Sequence, residues 1–593
     1  MPLFLLLLLS SADAVYLQHT AAVELFGPDS GYTETTREVM IPLTARGVRR
    51  YGTISTTYRN TWETVEIDAR IAHWRPGRGD SEAEIHEEPH SSLLPGGMLE
   101  SSLREVYISF PGIEIGDTIK VEITRRIRRL PLGDFYSFTY YSSSRDSIHQ
   151  GSFSVAADPG IELHTATSGG GFLFRDYTGA DGLRHLAWES GPRVPIPLLP
   201  FSPDPVFQSP RVTVASHLPD QVSSGLYRSL VEECLHGVPG PGDSLMEAAG
   251  NEPSELRSWV AAGIEYLSGE WGSDPGYTPR SPIETLNDRA GVCRDRAVLL
   301  IWLLRGAGLE PFAVLSSYSA PVGPYPGSRS FDHMLVAIEE SDGDTLFLDP
   351  TNLLSPDGYT YTLRGREYLP LTPEGAPLAR FPDPSGGDTL EIEIEGGFVP
   401  GSAVIRGRIS VEFSGAAEEL FRSMLSSVDV SGREELLRRL FRALPGSTIS
   451  LSGDPASPGE DMGVCGTAEW EYGMLRTGDS TVIILPGLSG IDLVGSRATA
   501  YLLPPFRERV FVETPYAARM RISLVDLPSG TPSLPDPVQM DNYSLRVELE
   551  GDTLVLCECM SLLPSHPDQP QTLALREGAL ACISSSHRTV TFR

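Results

Sequence analysis

The chain has 593 residues, of which 40% are hydrophobic, and a formal net charge of −31 at pH 7 with a pI near 4.8. It is too apolar to be disordered and long enough for several globular domains. Its acidity argues against nucleic acid or an anionic membrane as the main partner, because proteins that grip phosphate collect positive charge. Lys120 is the only lysine among 47 basic residues, which reads as coding bias and leaves almost no amines for self-cross-linking.

At the N-terminus, Leu3 to Leu9 form a short apolar core and Ala12-Asp13-Ala14 has the small-x-small pattern of a cleavage site, although no basic residue precedes it. This pattern reads as an export signal over residues 1–14, cut near Ala14, giving a soluble extracytoplasmic product, periplasmic or secreted. No later run reaches the roughly 18 apolar residues that span a bilayer.

Residues 15–200 show short alternating segments between Gly, Pro, Asp and Ser clusters, clearest at Thr53–Tyr58, Glu63–Ile71 and Ile119–Ile127. Period-2 alternation of this kind predicts an antiparallel β-sandwich. The basic run Arg125-Arg126-Ile127-Arg128-Arg129 reads as a charged strand edge that resists pairing with other chains. His86-Glu87-Glu88-Pro89-His90 matches the zinc-protease string H-E-x-x-H, but Pro89 would break the helix that string requires, and the flanking glycines and serines predict a loop. Residues 201–245 read as a Pro/Gly-rich connector around a helical piece, Gln221–Cys234. Pro253–Leu267 then places Leu256, Trp259, Val260, Ile264 and Leu267 at helical spacing, with Trp259 and Tyr266 expected in the core.

The chemistry is expected next. Gly291-Val292-Cys293-Arg294-Asp295 opens an apolar stretch, Ala297–Leu304, that predicts a buried helix ending near Gly306 and Gly308. Cys293 would sit at the helix N-terminus, where unpaired N–H groups favour thiolate over thiol. Asp295, in the first turn, and Asp332 read as scaffold. Phe331–Ile338 predicts a strand, Ser341–Asp344 a turn, and Thr345–Leu348 a second strand leading into Asp349-Pro350-Thr351. His333 would act as base and acid for Cys293, with Asp349 orienting its ring. The two lie directly opposite only if the turn centres on Ser341. A tip at Asp342-Gly343 would displace Asp349 by about three residues, roughly 10 Å, so an earlier turn or a bulge is expected. The intervening loop, Ala320–Ser330, is a candidate wall or lid, with Tyr318 and Tyr325 as apolar contacts.

After residue 376 the chain returns to β patterning, with a helical insertion at Ala416–Leu425 and Gly432–Leu444. Six cysteines do not make a disulfide scaffold. Cys557 and Cys559 share one face of a strand, and either could pair with Cys582 or Cys465, or all could be buried thiols. No spacing supplies a metal site, and nothing calls for a cofactor.

Thr285-Leu286, Gly291-x-Cys293-x-Asp295, the apolar helix, Gly308-Leu309, the strand Phe312–Leu315, Asp332-His333 and Leu348-Asp349-Pro350-Thr351 together resemble the core of the bacterial transglutaminase-like superfamily, over roughly residues 246–375. The flanks resemble a subfamily with an N-terminal β-sandwich of unknown function and a C-terminal β-rich domain. The resemblance implies a multidomain α+β protein with a papain-like α+β core between two β domains. It also implies cysteine-dependent acyl transfer to water or an amine through a thioester on Cys293, with Cys293, His333 and Asp349 as the triad and a peptide or protein as substrate. Some members of the superfamily only bind, so a recognition or envelope-assembly module is the alternative.

Overall fold

The computed structural model describes the chain apart from residues 1–11, 27–30, 95–96, 129–131, 134, 197–203, 268–276, 357, 383–387, 401, 403, 442–447, 457–461, 472–473, 497–515, 562–568 and 585. The apolar run at residues 3–9 lies outside the described residues. The protein is multidomain and mostly β with interspersed helices. It divides into two compact units: Met1–Leu198 with Asp204–Thr351 and Arg366–Phe381, and Leu199–Pro203 with Asn352–Gly365 and Pro382–Arg593.

In the first unit, the N-terminal strands Ala14–Leu25 and Tyr32–Pro42 lie inside a nine-stranded sheet with Thr118–Ile127 and Glu63–Ala72. Pairing is antiparallel except where Ala14–Leu25 runs parallel to Gly151–Ala157 and to Ser147–Ile148. A bulge between Tyr16 and Gln18 shifts the alternation by one residue, so Tyr16 before it and Val23 and Leu25 after it are all buried. Ile119, Val121 and Ile127 continue the inward row on their strand. Two three-stranded sheets complete the layers. One is built from Ser137–Tyr141, Arg211–Ala215 and His164–Ser168, the other from Thr53–Arg59, Gly97–Ser109 and Glu84–Leu94. Val212 and Val214 pack with Val23 and Trp188, and Ile108 with Tyr16 and Ile119. The stretch read as connector therefore contributes a strand, Arg211–Ala215, to this β layer. Asp13 and Ala14, at the expected cut, are buried: the Ala14 N–H donates to Asp146 at 2.8 Å and Asp13 accepts from Thr44 at 2.8 Å.

Two expectations are corrected here. Thr118–Ile127 is paired on both sides, so Arg125, Arg126 and Ile127 of the basic run lie on no sheet edge, and Arg125 instead bonds the buried Glu63 at 3.0 Å. The His86 to His90 string lies on the strand Glu84–Leu94 and not in a loop, with a register shift between Pro89 and Ser91 that accommodates proline's missing donor.

Downstream, five antiparallel strands run in the order Thr345–Leu348, His333–Glu339, Pro311–Ser316, Glu367–Leu371 and Ala379–Arg380. The helix Cys293–Gly306 packs on them, and every residue from Ala297 to Leu304 is buried. A helix apolar all round stays put because every face is covered. Here the covers are the sheet and the helix Pro253–Gly263. Tyr266, expected in the core, is half exposed and lies on the short strand Glu265–Tyr266; Trp259 is partly buried.

The second unit is built on an eight-stranded sheet in which Thr389–Phe398 pairs parallel with Ala517–Val525. The expected helical insertion is present as Gly415–Ser426 and Val430–Leu440. A third helix, Gln569–Ile583, was not expected from the sequence. All six cysteines are free, so of the two alternatives, a disulfide or unpaired thiols, the chain has thiols, of which Cys582 is buried and Cys465 exposed. Among the described residues no helix is long and apolar enough to cross a membrane.

Candidate functional site

Local sequence places Cys293. Ser281 caps the helix Pro282–Asp288 by accepting from the Glu284 N–H, and Arg289, in the left-handed region at φ 52°, turns the chain into Ala290–Gly291. That dipeptide pairs parallel with Glu265–Tyr266 and delivers Val292 as the N-cap of the next helix, whose first residue is Cys293. The buried Asp295 side chain accepts from the Val292 N–H at 3.0 Å and the Arg280 N–H at 2.9 Å, tying both sides of the turn to the helix start. The sequence requires glycine at 291 because a Cβ there would stand 2.9 Å from the Asp295 Cβ.

The hairpin places the other two groups. Val336 pairs with Leu348 and Glu339 with Thr345, without a bulge, so the turn centres on Asp342. Extending that register sets Asp349 opposite Leu335, a two-residue diagonal from His333 and on the same face. Cβ atoms on such a diagonal are roughly 7–8 Å apart or somewhat less, within reach of a long polar pair. The expected need for an earlier turn or a bulge is therefore corrected: the side chains cover the offset. His333 Nε2 lies 2.8 Å from Asp349 Oδ2. The other carboxylate oxygen, Oδ1, accepts from the Thr351 N–H at 2.8 Å and the Thr351 hydroxyl at 2.7 Å. Asp349 is fully buried and His333 is 5% exposed. With Nε2 taken by the acid, Nδ1 is the nitrogen left for Cys293, and the imidazole and the Met334 N–H both favour the charged form of its sulfur.

These contacts act against burial. Burial pushes the Cys293 thiol up, but the His333 hydrogen bond and charge, aided by Arg294, bring it below its ordinary value. Burial lowers His333, yet Asp349 and Cys293 raise it to about 10. Burial raises Asp349, while His333 and Thr351 hold it below the usual carboxylate range. Each shift favours the charged form of its group, so the arrangement favours thiolate, imidazolium and carboxylate in a row.

The sequence reading missed several residues around this row. Arg296, buried in the first turn of the Cys293 helix, donates to the Pro350 carbonyl at 3.0 Å and to the Ile264 carbonyl, and its guanidinium lies 5.2 Å from the Tyr266 ring centre. It binds the Asp349 segment to the helix, and the signal for it was a charge opening an apolar run. Tyr318 packs against the His333 ring with centroids 4.7 Å apart, as a site wall would. Tyr325 does not join it: its ring lies against His164, 5.6 Å away. Asp332 holds the loop in place, accepting from the Tyr318 N–H at 2.7 Å, the Ser319 N–H at 3.0 Å and the Ser317 hydroxyl at 3.0 Å. A cavity of about 300 Å³ opens onto Cys293 and His333, with Arg59, Tyr277, Arg294 and Phe331 among its walls. Arg59 ends a strand of the N-terminal β layer, and no local pattern announced it. Among the described residues no cluster of His, Cys, Asp and Glu is suited to hold a metal ion.

Residues 28–196 match DUF3857, a domain family of unknown function with a solved structure. No curated protein matches the chain. Among solved structures, a candidate protease from Parabacteroides distasonis aligns over 98% of this chain and 99% of its own, with a TM-score of 0.63 and 13% identity, a likeness of fold across the whole length. A candidate cysteine protease from Cytophaga hutchinsonii aligns over 42% of this chain and 84% of its own, at 16% identity and a TM-score of only 0.17.

Proposed function

We propose that the protein is a transglutaminase-like cysteine peptidase or amidase, exported from the cytoplasm, that works through a thioester on Cys293. The observation that carries this reading is the row of half-buried Cys293 and buried His333 and Asp349, with His333 raised to about 10 between a thiol lowered and a carboxylate lowered by it. A buried ion pair of this kind is a costly way to stabilise a fold, whereas it suits a nucleophile kept ready. The whole-length likeness in fold to a candidate protease supports the same reading.

In the proposed reaction, the Cys293 thiolate attacks the amide carbon and the carbonyl π pair moves onto oxygen. The N–H groups at the start of the helix offset that charge. Collapse breaks the C–N bond as the His333 Nδ1 proton passes to the departing amine, leaving the acyl group on sulfur. Neutral His333 then takes a proton from the incoming water or amine, and the second collapse restores the thiolate. Asp349 keeps the ring oriented and its charged form stabilised throughout.

Alkylation of the protein with iodoacetamide across pH, read at Cys293 by peptide mass spectrometry, tests the proposal. The expected profile shows reaction well below the ordinary thiol range, and His333→Ala returns the midpoint to that range. An ordinary thiol profile in the unaltered protein, indifferent to His333→Ala, overturns it.

A further inference from the structure

We propose that Arg59 and Arg294 form an anion subsite beside Cys293, so that the site prefers substrates carrying a carboxylate next to the amide it cleaves. The inference rests on the acyl-transfer reading of Cys293 and adds a substrate class to it.

Both guanidinium-bearing residues line the cavity onto which Cys293 and His333 open, although the chain as a whole carries a net charge of −31. They come from distant parts of the sequence: Arg294 follows the nucleophile in the first helical turn, and Arg59 ends the strand Thr53–Arg59 of the N-terminal β layer. They are close enough to act on each other. Burial lowers Arg59, and the positive charges of Arg294 and Arg329 add to that effect while Tyr277 and Glu63 oppose it.

Among the described residues, the carboxylates of this corner, Glu63 and Asp332, have donors of their own. Glu63 accepts from Arg125 at 3.0 Å and from the Arg59 backbone N–H at 3.0 Å, and Arg329 lies 3.9 Å from its other oxygen. Asp332 also borders the cavity, but its oxygens accept from Ser317, Tyr318 and Ser319. Arg294 Nε is buried and has no hydrogen-bond partner among the described residues. A buried guanidinium donor without an acceptor costs free energy, and a carboxylate between the two forks relieves that cost at Arg294 and the repulsion between the two positive charges. The remaining walls, Leu226, Leu230 and Phe331, suit the methylene stem of an acidic residue.

Two alkylators that differ only in charge test this without knowledge of the substrate. The Cys293 thiolate displaces iodide from iodoacetate or from iodoacetamide to form the same kind of thioether, so the ratio of the two rates cancels the thiolate population. That ratio is divided by the ratio for N-acetylcysteine amide, a neutral reference thiol. The result should exceed one by about tenfold, the scale expected of close charge complementarity. Arg59→Gln and Arg294→Gln should each lower it several-fold, and Arg59→Lys and Arg294→Lys should keep more of it than their Gln counterparts. A value near one overturns the subsite, as does a raised value that neither Gln variant changes, which would assign the attraction to His333.

Loss of the underlying enzyme reading looks different, because iodoacetamide alone would then show an ordinary thiol profile. Protection of Cys293 from iodoacetamide identifies the source of the carboxylate. N-acetylglutamate amide presents it on the side chain and N-acetylglutamine at the chain end, and at least one should protect better than neutral N-acetylglutamine amide. Equal or absent protection by all three counts against the subsite.

Discussion

Each unit holds a cysteine in a charged network, half-buried Cys293 in one and buried Cys582 in the other, and the two networks drive their thiols in opposite directions. In the first, Cys293 meets an imidazole backed by a carboxylate, and its thiol is lowered against the effect of burial. In the second, Cys582 is fully buried beside Glu558, and burial and that carboxylate both push its thiol up. Glu558, 2% exposed, accepts from the Leu488 N–H and the Tyr543 hydroxyl, each at 2.8 Å, with Arg588 at 3.4 Å. Burial raises Glu558, and Arg588 opposes the rise. Burial opposes ionisation of both thiols, and the charge of the nearest neighbour sets whether that effect is reversed, as at Cys293, or reinforced, as at Cys582.

The largest contrast follows directly. Cys293→Ala should abolish amide cleavage and remove all rapid alkylation at neutral pH, whereas Cys582→Ala should leave both in place. Site-resolved mass spectrometry after a short iodoacetamide pulse should find Cys293 labelled at least about a hundredfold faster than Cys582, as expected when one thiol is mostly ionised and the other is not. Comparable labelling of the two would erase the distinction.

Substitution of His333 sharpens the comparison through pH. Its folded value, about 10, lies above its ordinary 6.5, so the stability it brings is complete below pH 6.5 and is lost as pH climbs through about 10. Asp349 is lowered, so its contribution is present above its ordinary 3.8 and disappears as pH falls through the lower folded value. His333→Ala should therefore depress Tm most between about pH 4 and 6.5 and progressively less toward pH 10.5. A Tm difference that does not change with pH would mean the imidazole is held uncharged.

Much of this first network was legible because its signals are local. Gly291 before Cys293, the apolar run after it, and the hairpin pattern around His333 and Asp349 each stand within a few residues of the group they place. The reading failed where the cause was a distant partner. The basic run at Arg125 looked like an edge because nothing nearby reveals the buried Glu63 that accepts it. The offset between His333 and Asp349 looked prohibitive because strand rise was counted and side-chain reach was not. Arg59 carries no mark in sequence, since only the packing of the N-terminal β layer within the same compact unit brings it to the cavity. The Glu558 network was equally hidden: its three side-chain partners come from the strand Tyr543–Glu550, the helix Gln569–Ile583 and the 3-10 turn at Ser586–Arg588.

Breaking the second network should affect stability and leave the first untouched. Arg588→Met strands the Glu558 carboxylate in an apolar site, at a cost of about 3–5 kcal/mol when a buried pair loses one member. The expected readout is a lowered Tm with the Cys293 alkylation profile unchanged at temperatures where the protein remains folded. Rescue by a second change, Glu558→Gln, would show that the stranded charge and not lost packing caused the damage.

The smallest effect concerns the wall of the site. Tyr318 lies over the His333 ring, so Tyr318→Ala should admit water beside the imidazole and weaken its coupling to the thiolate. Iodoacetamide labelling of Cys293 should fall only a few-fold, with its midpoint moved upward toward the ordinary thiol range. Tyr318→Phe keeps the ring and should retain the original midpoint. A Phe variant as impaired as the Ala variant would transfer the role from the ring to the hydroxyl, and Tyr318 would then belong with the groups that bind substrate.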